Sequence, residues 1–441
     1  MTSKIVVNNI ESDSGISSVT FTSDIELGAK NLKGHNLEST GIITATSFSG
    51  SGANLTSLPA ANLTGTLPAI SGANLTGINT AFGSGTSVNT SGIITATAFI
   101  PTTGQLSHRN KVINGAMNIC QRGTSQNTIS SSGYYIADRF HINMVNVGSF
   151  RTNLFQSSQS PDGFNNSLGV SIGSGTAGAI ASDERVSLEY RIEAQDLQDL
   201  SFGTSAAKSF TLSFYVRSSR TGQYGINMRQ HDSGKDYNEK FDISVANTWE
   251  RKIITVTGNT GDTFADDNGI GLWFRIMLRA GSDSVGNVNY QSWGSSDADK
   301  APTGQQTTWG TDANDDFYLT GVQLEVGSVA TPFEHRSRGD ELARCQRYYE
   351  VHYQSAGTAS MYSTGDGTIK YSHTWYFHQC KRAQASVSLI NSGYFNASGG
   401  SALTLTGIFT SKNHCMFFSN SNQFRLLGSA QVALVKAESE L

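Results

Sequence analysis

Phe317-Tyr-Leu-Thr-Gly-Val-Gln-Leu-Glu-Val326 is followed by Gly327-Ser-Val-Ala-Thr-Pro-Phe-Glu-His-Arg336 and then by Asp340-Glu-Leu-Ala-Arg-Cys-Gln-Arg-Tyr-Tyr349. In the first run Tyr318, Val322, Leu324 and Val326 share one parity, while Gly321, Gln323 and Glu325 take the other. That is the period-2 pattern of a half-buried strand. Gly327-Ser328 and Thr331-Pro332 end it. Ser337, three residues ahead of Asp340, supplies a helix cap, after which Leu342, Cys345 and Tyr349 fall at i, i+3 and i+7 on one face. The stretch therefore closes one domain at residue 336 and opens another at 337.

The alternation continues on both sides. It is strong in Val186/Leu188/Tyr190/Ile192, Phe210/Leu212/Phe214/Val216 and Ile270/Leu272/Phe274/Ile276/Leu278, with polar or charged residues between. Adding 134–147, 168–172, 224–230, 249–257 and 317–326 predicts eight or more strands at short spacing, a two-sheet sandwich over 106–336. Beyond the short helix, 348–353, 370–377, 385–390, 403–406, 416–418, 424–427 and 430–435 read as strands of a smaller C-terminal β-domain, 337–441. Turns at Gly357, Gly365-Asp-Gly367, Asn391-Ser-Gly393 and Ser398-Gly-Gly400 separate them. The expected fold class is all-β.

Composition narrows the chemistry. The formal charge is −4, and no segment carries the basic excess that nucleic-acid binding requires. The four cysteines, Cys120, Cys345, Cys380 and Cys415, lie far apart without zinc-type spacing, which favours free buried thiols. The N-terminal MTSKIVV has no apolar leader run, and the most apolar stretch, 270–278, is broken by Arg275, so no membrane insertion is expected. No P-loop, HExxH, GxSxG or EF-hand occurs. Gly173-Ser-Gly-Thr-Ala-Gly178 matches GxGxxG, but a dinucleotide turn needs a strand before it and a helix after it, and its surroundings read as strands. The nine histidines show no local ligand cluster, so neither metal nor cofactor is expected.

The first 105 residues differ in kind. Residues 1–38 hold two short strand-like runs, and from Ser39 to His108 there is no Asp, Glu, Lys or Arg. Thr40-Gly-Ile-Ile-Thr-Ala-Thr-Ser-Phe48 returns as Ser91-Gly-Ile-Ile-Thr-Ala-Thr-Ala-Phe99, and Ala-Asn-Leu-Thr recurs at 53, 61 and 73. Repeats with too little apolar surface for a private core bury it against neighbours. A homotrimer does so by lining its Ile and Leu along one axis, which makes 39–105 an uncharged repeat shaft. A flexible linker is the competing reading of the same composition.

Three segments carry a family resemblance: 317–350; Asn110-Lys-Val-Ile-Asn-Gly-Ala-Met-Asn-Ile-Cys-Gln-Arg-Gly-Thr124 with Tyr135-Ile-Ala-Asp-Arg-Phe140; and Lys436-Ala-Glu-Ser-Glu-Leu441. The wording resembles tail-fibre proteins of tailed bacteriophages, particularly the cyanophage and marine-phage type. The resemblance implies a virion protein assembled in the host cytoplasm, joined to other tail proteins through residues 1–38 and binding host-surface glycan or lipopolysaccharide. The strand order of 106–336 is also similar to carbohydrate-binding modules with a jelly-roll fold, a likeness of scaffold more than of ligand. One departure stands at Gln379-Cys-Lys-Arg-Ala-Gln384, where the resembling fibres have a Met-Arg-x-x-Pro-like core.

Two aromatic-rich regions are candidate ligand sites. The long loop 280–315 holds Tyr290, Trp293 and Trp309, and loops of that length are usually functional or disordered. The C-terminal unit holds Tyr362, Lys370, Tyr371, His373, Trp375, Tyr376 and His378, with eight basic against six acidic groups over 340–441. Rings stack on sugars, and His and Lys supply hydrogen bonds. The competing reading buries these aromatics as a lid, as core or between protomers. Asp266-Asp267 and Asp315-Asp316 are candidates to contribute to calcium binding or to a glycosidase pair, but adjacent loop acids are usually solvated, and no catalytic residue is expected. A purely structural virion component and a glycan-degrading tailspike are the alternatives to a binding fibre.

Overall fold

The computed structural model describes residues 107–286, 289–295, 300–306, 308–354, 360–363, 369–389, 395–396, 405–419, 425–426 and 432–441, with Thr40, Ile42 and Thr44 before them. The expected virion-anchoring segment and repeat shaft lie outside the described residues. The chain divides into two compact units, Met1–Ile94 and Thr95–Leu441, and the described strands and helices belong to the second.

Thirteen strands precede the helix: β1 Ser125–Ile129, β2 Gly133–Tyr134, β3 Phe140–Val145, β4 Thr152–Ser157, β5 Ser167–Ile172, β6 Arg185–Glu193, β7 Phe210–Ser218, β8 Gly222–Gln230, β9 Lys235–Ile243, β10 Glu250–Val256, β11 Ile270–Ala280, β12 Gly294–Ser295 and β13 Asp316–Val326. They form a six-stranded sheet, β1-β4-β5-β13-β7-β10, and a seven-stranded sheet, β12-β9-β8-β11-β6-β3-β2. The pairings between these strands are antiparallel. One face of each sheet is apolar, and the two faces meet: Val186, Leu188, Tyr190, Ile192, Leu272, Phe274 and Ile276 from one, Phe210, Leu212, Phe214, Leu319 and Val322 from the other. Each large apolar side chain removed from water here contributes about 1.5–3 kcal/mol. The all-β sandwich expected from the alternation is the observed fold.

The deciding strand departs from its sequence pattern in one place. Phe317 and Leu319 face the core ahead of Gly321, and Val322 and Leu324 face it after, so the parity changes within the strand. The register against β7 shifts between Thr320 and Gln323, and Gly321 takes the left-handed conformation with φ +62°. A bulge inserts one residue and switches the side-chain phase. Tyr318, expected beside Val322, is therefore turned the other way, edge-on to Phe155 and Trp249.

Helix α1, Arg338–Gln346, starts as predicted, with Ser337 Oγ accepting from Asp340 N at 3.2 Å. Its buried Glu341 accepts from Asn114 N and, at 2.9 Å, from Arg336. Asn110 donates to Val322 O and accepts from Leu324 N. Segments 110–119 and 317–341, some 200 residues apart in sequence, thus interlock. Gly115 is required there, because a Cβ would lie 2.1 Å from Val322 O.

Beyond α1 come β14 Tyr349–Gln354, β15 Ser360–Ser363, β16 Ile369–Tyr376, β17 Ser386–Leu389, β18 Phe395–Asn396, β19 Leu405–Thr410, β20 His414–Ser419, β21 Arg425–Leu426 and β22 Val432–Glu438. They pair as β14-β22-β17, β15-β16-β20-β19 and β18-β21. A polar joint fixes this unit to the sandwich. Glu193 accepts from Arg347 Nε at 2.8 Å and Nη2 at 2.7 Å and from the Tyr348 hydroxyl, while Arg382 donates to Asn268 O at 2.9 Å. All four cysteines are free. Cys345 and Cys415 are buried as expected, Cys120 is half-buried and Cys380 is exposed.

Candidate functional site

Among the described side chains of the two aromatic regions, Trp309 and Trp375 are buried rather than presented for stacking. Trp309 is 0% exposed, edge-on to Phe150 with its Nε1 donating to Asp316 O at 3.2 Å. Trp293 is half-buried between Phe202 and Tyr237 and donates to Thr257 O at 2.7 Å. Both fold back as core because the loop doubles over the sheet: Ala301 and Pro302 lie against Gly225, and Gln305 reaches Gly225 N and Met277 O. Tyr290 stays half-buried at the β9 edge, 5.4 Å from the Lys240 ammonium. As a ligand platform Trp309 is corrected, while Trp293 has its ring packed against Phe202 and Tyr237.

In the C-terminal unit Trp375 is buried against Phe377, and it too is corrected. Its neighbour Tyr376 is 74% exposed, as alternation along a strand requires, so the two cannot form one surface. His378 is exposed, with Nδ1 2.5 Å from a Glu350 carboxylate that also pairs with Lys381. Tyr362, Lys370, Tyr371 and His373 lie on β15 and β16, their side chains outside the described residues.

What the fold does bring together lies on the seven-stranded sheet, on the face turned away from the core. Strand registers place Asp236, Arg229, Trp273 and Arg191 side by side across β9, β8, β11 and β6. The next row runs Asn238, Asn227, Arg275, Glu189, His141 and Tyr134 across six strands. Trp273 is half-buried, and three guanidinium carbons surround its ring: Arg275 at 4.4 Å, and Arg191 and Arg229 at 5.6 Å each. The exposed His231 ring is 5.5 Å away.

Glu189 anchors the second row. Its carboxylate lies 2.7 Å from Arg275 Nε and 3.4 Å from His141 Nδ1, and it accepts from Arg191 Nη2 at 3.2 Å. Burial alone would raise this acid, but His141, Arg275 and Arg191 beside it bring it down to about 2. Asn227 Nδ2 donates to Asn238 at 2.8 Å. The Asn227 Oδ1, Ser187 Oγ and Trp273 Nε1 atoms, all shielded, meet no hydrogen-bond partner among the described residues. On one flank the main chain of Leu441 accepts from Arg191 and, at 3.0 Å, from the Tyr134 hydroxyl. On the other lies the 301–306 stretch over Gly225.

Sequence reading missed this site, although a signal was present. The outward parity of β6 and β11 reads Arg185, Ser187, Glu189, Arg191 and Trp273, Arg275, Met277, whereas a merely solvated face favours small polar residues. A Trp among arginines on the polar parity of a strand is the mark.

Two clefts adjoin. One of about 560 Å³ is lined by Arg122, Tyr134, Tyr135, Tyr349, Lys436 and Glu438; the Arg122 guanidinium covers the Tyr349 ring at 3.6 Å. The other, about 380 Å³, lies between Lys111, Asp196, Asp199 and Arg344. Burial pushes the Cys120 and Cys415 thiols up to about 12, so neither is a thiolate nucleophile at neutral pH. No group of three metal-ligating side chains and no helix able to cross a membrane occurs among the described residues.

No protein-family model matches this chain, and no curated protein matches it. Among solved structures it is similar to the enzymatically active domain of bacteriophage CBA120 tailspike protein 4, at 10% identity and TM-score 0.24 over 49% of this chain and 21% of that one. It is also similar to the module TmCBM61 in complex with β-1,4-galactotriose, at 8% identity and TM-score 0.25 over 49% and 99%. A family 11 carbohydrate-binding module from Clostridium thermocellum, in complex with a mixed-linked tetrasaccharide, gives 11% and 0.23 over 48% and 99%. The chain spans about a fifth of the tailspike domain. Likenesses this distant assign no function.

Proposed function

We propose that this chain is a host-attachment fibre of a tailed bacteriophage, and that it holds a glycan of the host envelope on the outer face of its seven-stranded sheet, at Trp273. The observation that carries the reading is the Trp273 ring flanked in register by Arg191 and Arg229. A half-buried indole gives a pyranose ring a flat apolar surface, and guanidinium forks beside it give hydroxyls directional donors. The fibre part rests on the resemblance of 110–124, 135–140, 317–350 and 436–441, and on the fact that 110–119 and 317–341 pack together.

The virion connection through residues 1–38, the trimeric shaft of 39–105 and assembly in the host cytoplasm belong to the same proposal. So does binding without turnover. A glycosidase needs one carboxyl raised enough to stay protonated as general acid, whereas Glu189, the acid beside the indole, is held at about 2.

The test is a glycan array probed with the full chain. Saccharide binding that falls about tenfold or more in Trp273→Ala, with an unchanged circular-dichroism spectrum, supports the reading. Binding unaffected by the substitution, or release of reducing ends from bound glycan, overturns it.

A further inference from the structure

We infer that Lys381 and Glu350 condense into an intramolecular amide, a covalent tie between β14 and the segment that follows β16. The inference is independent of the glycan reading above.

The two residues stand 31 positions apart in sequence, yet Lys381 Nζ lies 2.5 Å from Glu350 Oε2, and both side chains are fully enclosed. An amine is thus held against a carboxyl. The His378 main-chain N–H donates to Oε1 at 3.1 Å and reaches Oε2 at 3.3 Å. On the same side the His378 Nδ1 lies 2.5 Å from Oε1, and its ring opens to solvent. Nζ also donates to Gln346 O and faces the Phe377 ring, 4.8 Å from its centre. Nucleophile, electrophile, proton carrier and oxyanion donor therefore meet at one carboxyl.

An ion pair sealed in this way keeps two charges out of water, which is costly. Transfer of one proton from Nζ to the carboxylate gives a neutral amine and a neutral acid, the forms that react. Burial already brings the Lys381 ammonium below its ordinary range, against the pull of Glu350. The Nζ lone pair then attacks Glu350 Cδ; a C–N bond forms and the carbonyl electron pair moves onto Oε2, within reach of the His378 N–H. The proton that Nζ sheds passes to the imidazole, which hands it to the departing Oε1 hydroxyl as the C–O bond breaks. One amide and one water result, and no further reactant is consumed. Groups held in contact act at effective concentrations of about 10⁵–10⁸ M, which favours the amide over its hydrolysis. The product also buries no charge. Because all four cysteines are free, the amide would give the C-terminal unit the kind of loop-closing link that a disulfide supplies elsewhere.

The experiment is mass spectrometry of the purified full chain, first intact and then after unfolding in guanidinium and digestion with trypsin. The expected result is a chain lighter than its sequence by one water, with the bond after Lys381 uncut and the Glu350 peptide joined to the Lys381 peptide. Lys381→Met should restore the full sequence mass. His378→Ala, which removes an exposed ring, should fold and lower the joined fraction severalfold. A wild-type chain of full sequence mass, cut after Lys381, overturns the inference. So does a water lost elsewhere while Lys381 is still cut, and joining undiminished in His378→Ala overturns the proton relay.

Discussion

The Arg275 guanidinium carbon lies 4.4 Å from the centre of the Trp273 ring, and the same side chain's Nε lies 2.7 Å from the buried Glu189 carboxylate. One residue thus both supports the indole and neutralises the acid beneath it. Removing one partner of a buried pair costs about 3–5 kcal/mol, because the other charge is left enclosed. With Arg191 still beside Glu189, Arg275→Leu should cost about 3 kcal/mol, the low end of that range. The Glu189→Gln/Arg275→Leu double variant should recover much of the loss. Urea unfolding midpoints check this, and a double variant no more stable than the single would contradict it.

Gly321 carries the bulge that reverses side-chain phase in β13. A Cβ there would meet Phe164 at 2.7 Å and Tyr215 at 2.9 Å, and its φ is +62°. Gly321→Ala is therefore expected to destabilise the sandwich by about 1–3 kcal/mol. A melting temperature within a degree of wild type would show that the strand tolerates the unbulged register.

Two buried acids give stability opposite dependences on pH. Glu189, folded at about 2 against an ordinary 4.5, contributes stability above pH 4.5 that is lost as pH falls toward 2. Asp138 is raised by burial from 3.8 to about 7, against the pull of Arg122 and Gln121. The folded state then binds the extra proton, so Asp138 costs stability increasingly from pH 4 to 7. Asp138→Asn should gain on wild type across that interval and run parallel to it below pH 3.5. Thermal melts from pH 3 to 8 decide it; curves parallel throughout would exclude the assignment.

Glu193 accepts from Arg347 and Tyr348 across the joint between sandwich and C-terminal unit. Burial raises this carboxyl, and the Arg347 and Tyr348 hydrogen bonds hold it below the ordinary range. Glu193→Ala should loosen α1 around the trypsin sites Arg338 and Arg344, so that limited digestion separates the C-terminal unit severalfold faster. Unchanged digestion would mean that the remaining ties, Arg382 to Asn268 among them, suffice.

Strands whose apolar residues alternate without interruption, β6, β7 and β11, were legible because burial on one face imposes period 2 directly. Helix α1 was legible from its Ser337 cap. The phase switch at Gly321 was not, since a bulge depends on what the partner strand β7 accommodates. Nor was the 3-10 helix Ala194–Leu200, whose Leu197 and Leu200 could equally extend a strand. Strand β9 hid behind its charges, because Lys235, Asp236, Glu239, Lys240 and Asp242 mask the inward Tyr237, Phe241 and Ile243.

The site was legible only in part. Trp309 and Trp375 have the composition of stacking platforms, but an indole is as useful in a core, and only burial separates the two uses. Trp273, Arg191 and Arg229 come from three strands separated by 38 residues or more in the chain, and register alone makes them neighbours.

The most direct test of attachment through the sheet face is competition for adsorption. On the proposed fibre reading, purified full chain is added to host cells of a phage carrying it, and phage adsorption is then counted. Wild type and Tyr376→Ala should block adsorption alike, and Trp273→Ala should need about tenfold more protein. If Trp273→Ala blocks as well as wild type while Tyr376→Ala fails, attachment lies on the C-terminal unit and the account is contradicted.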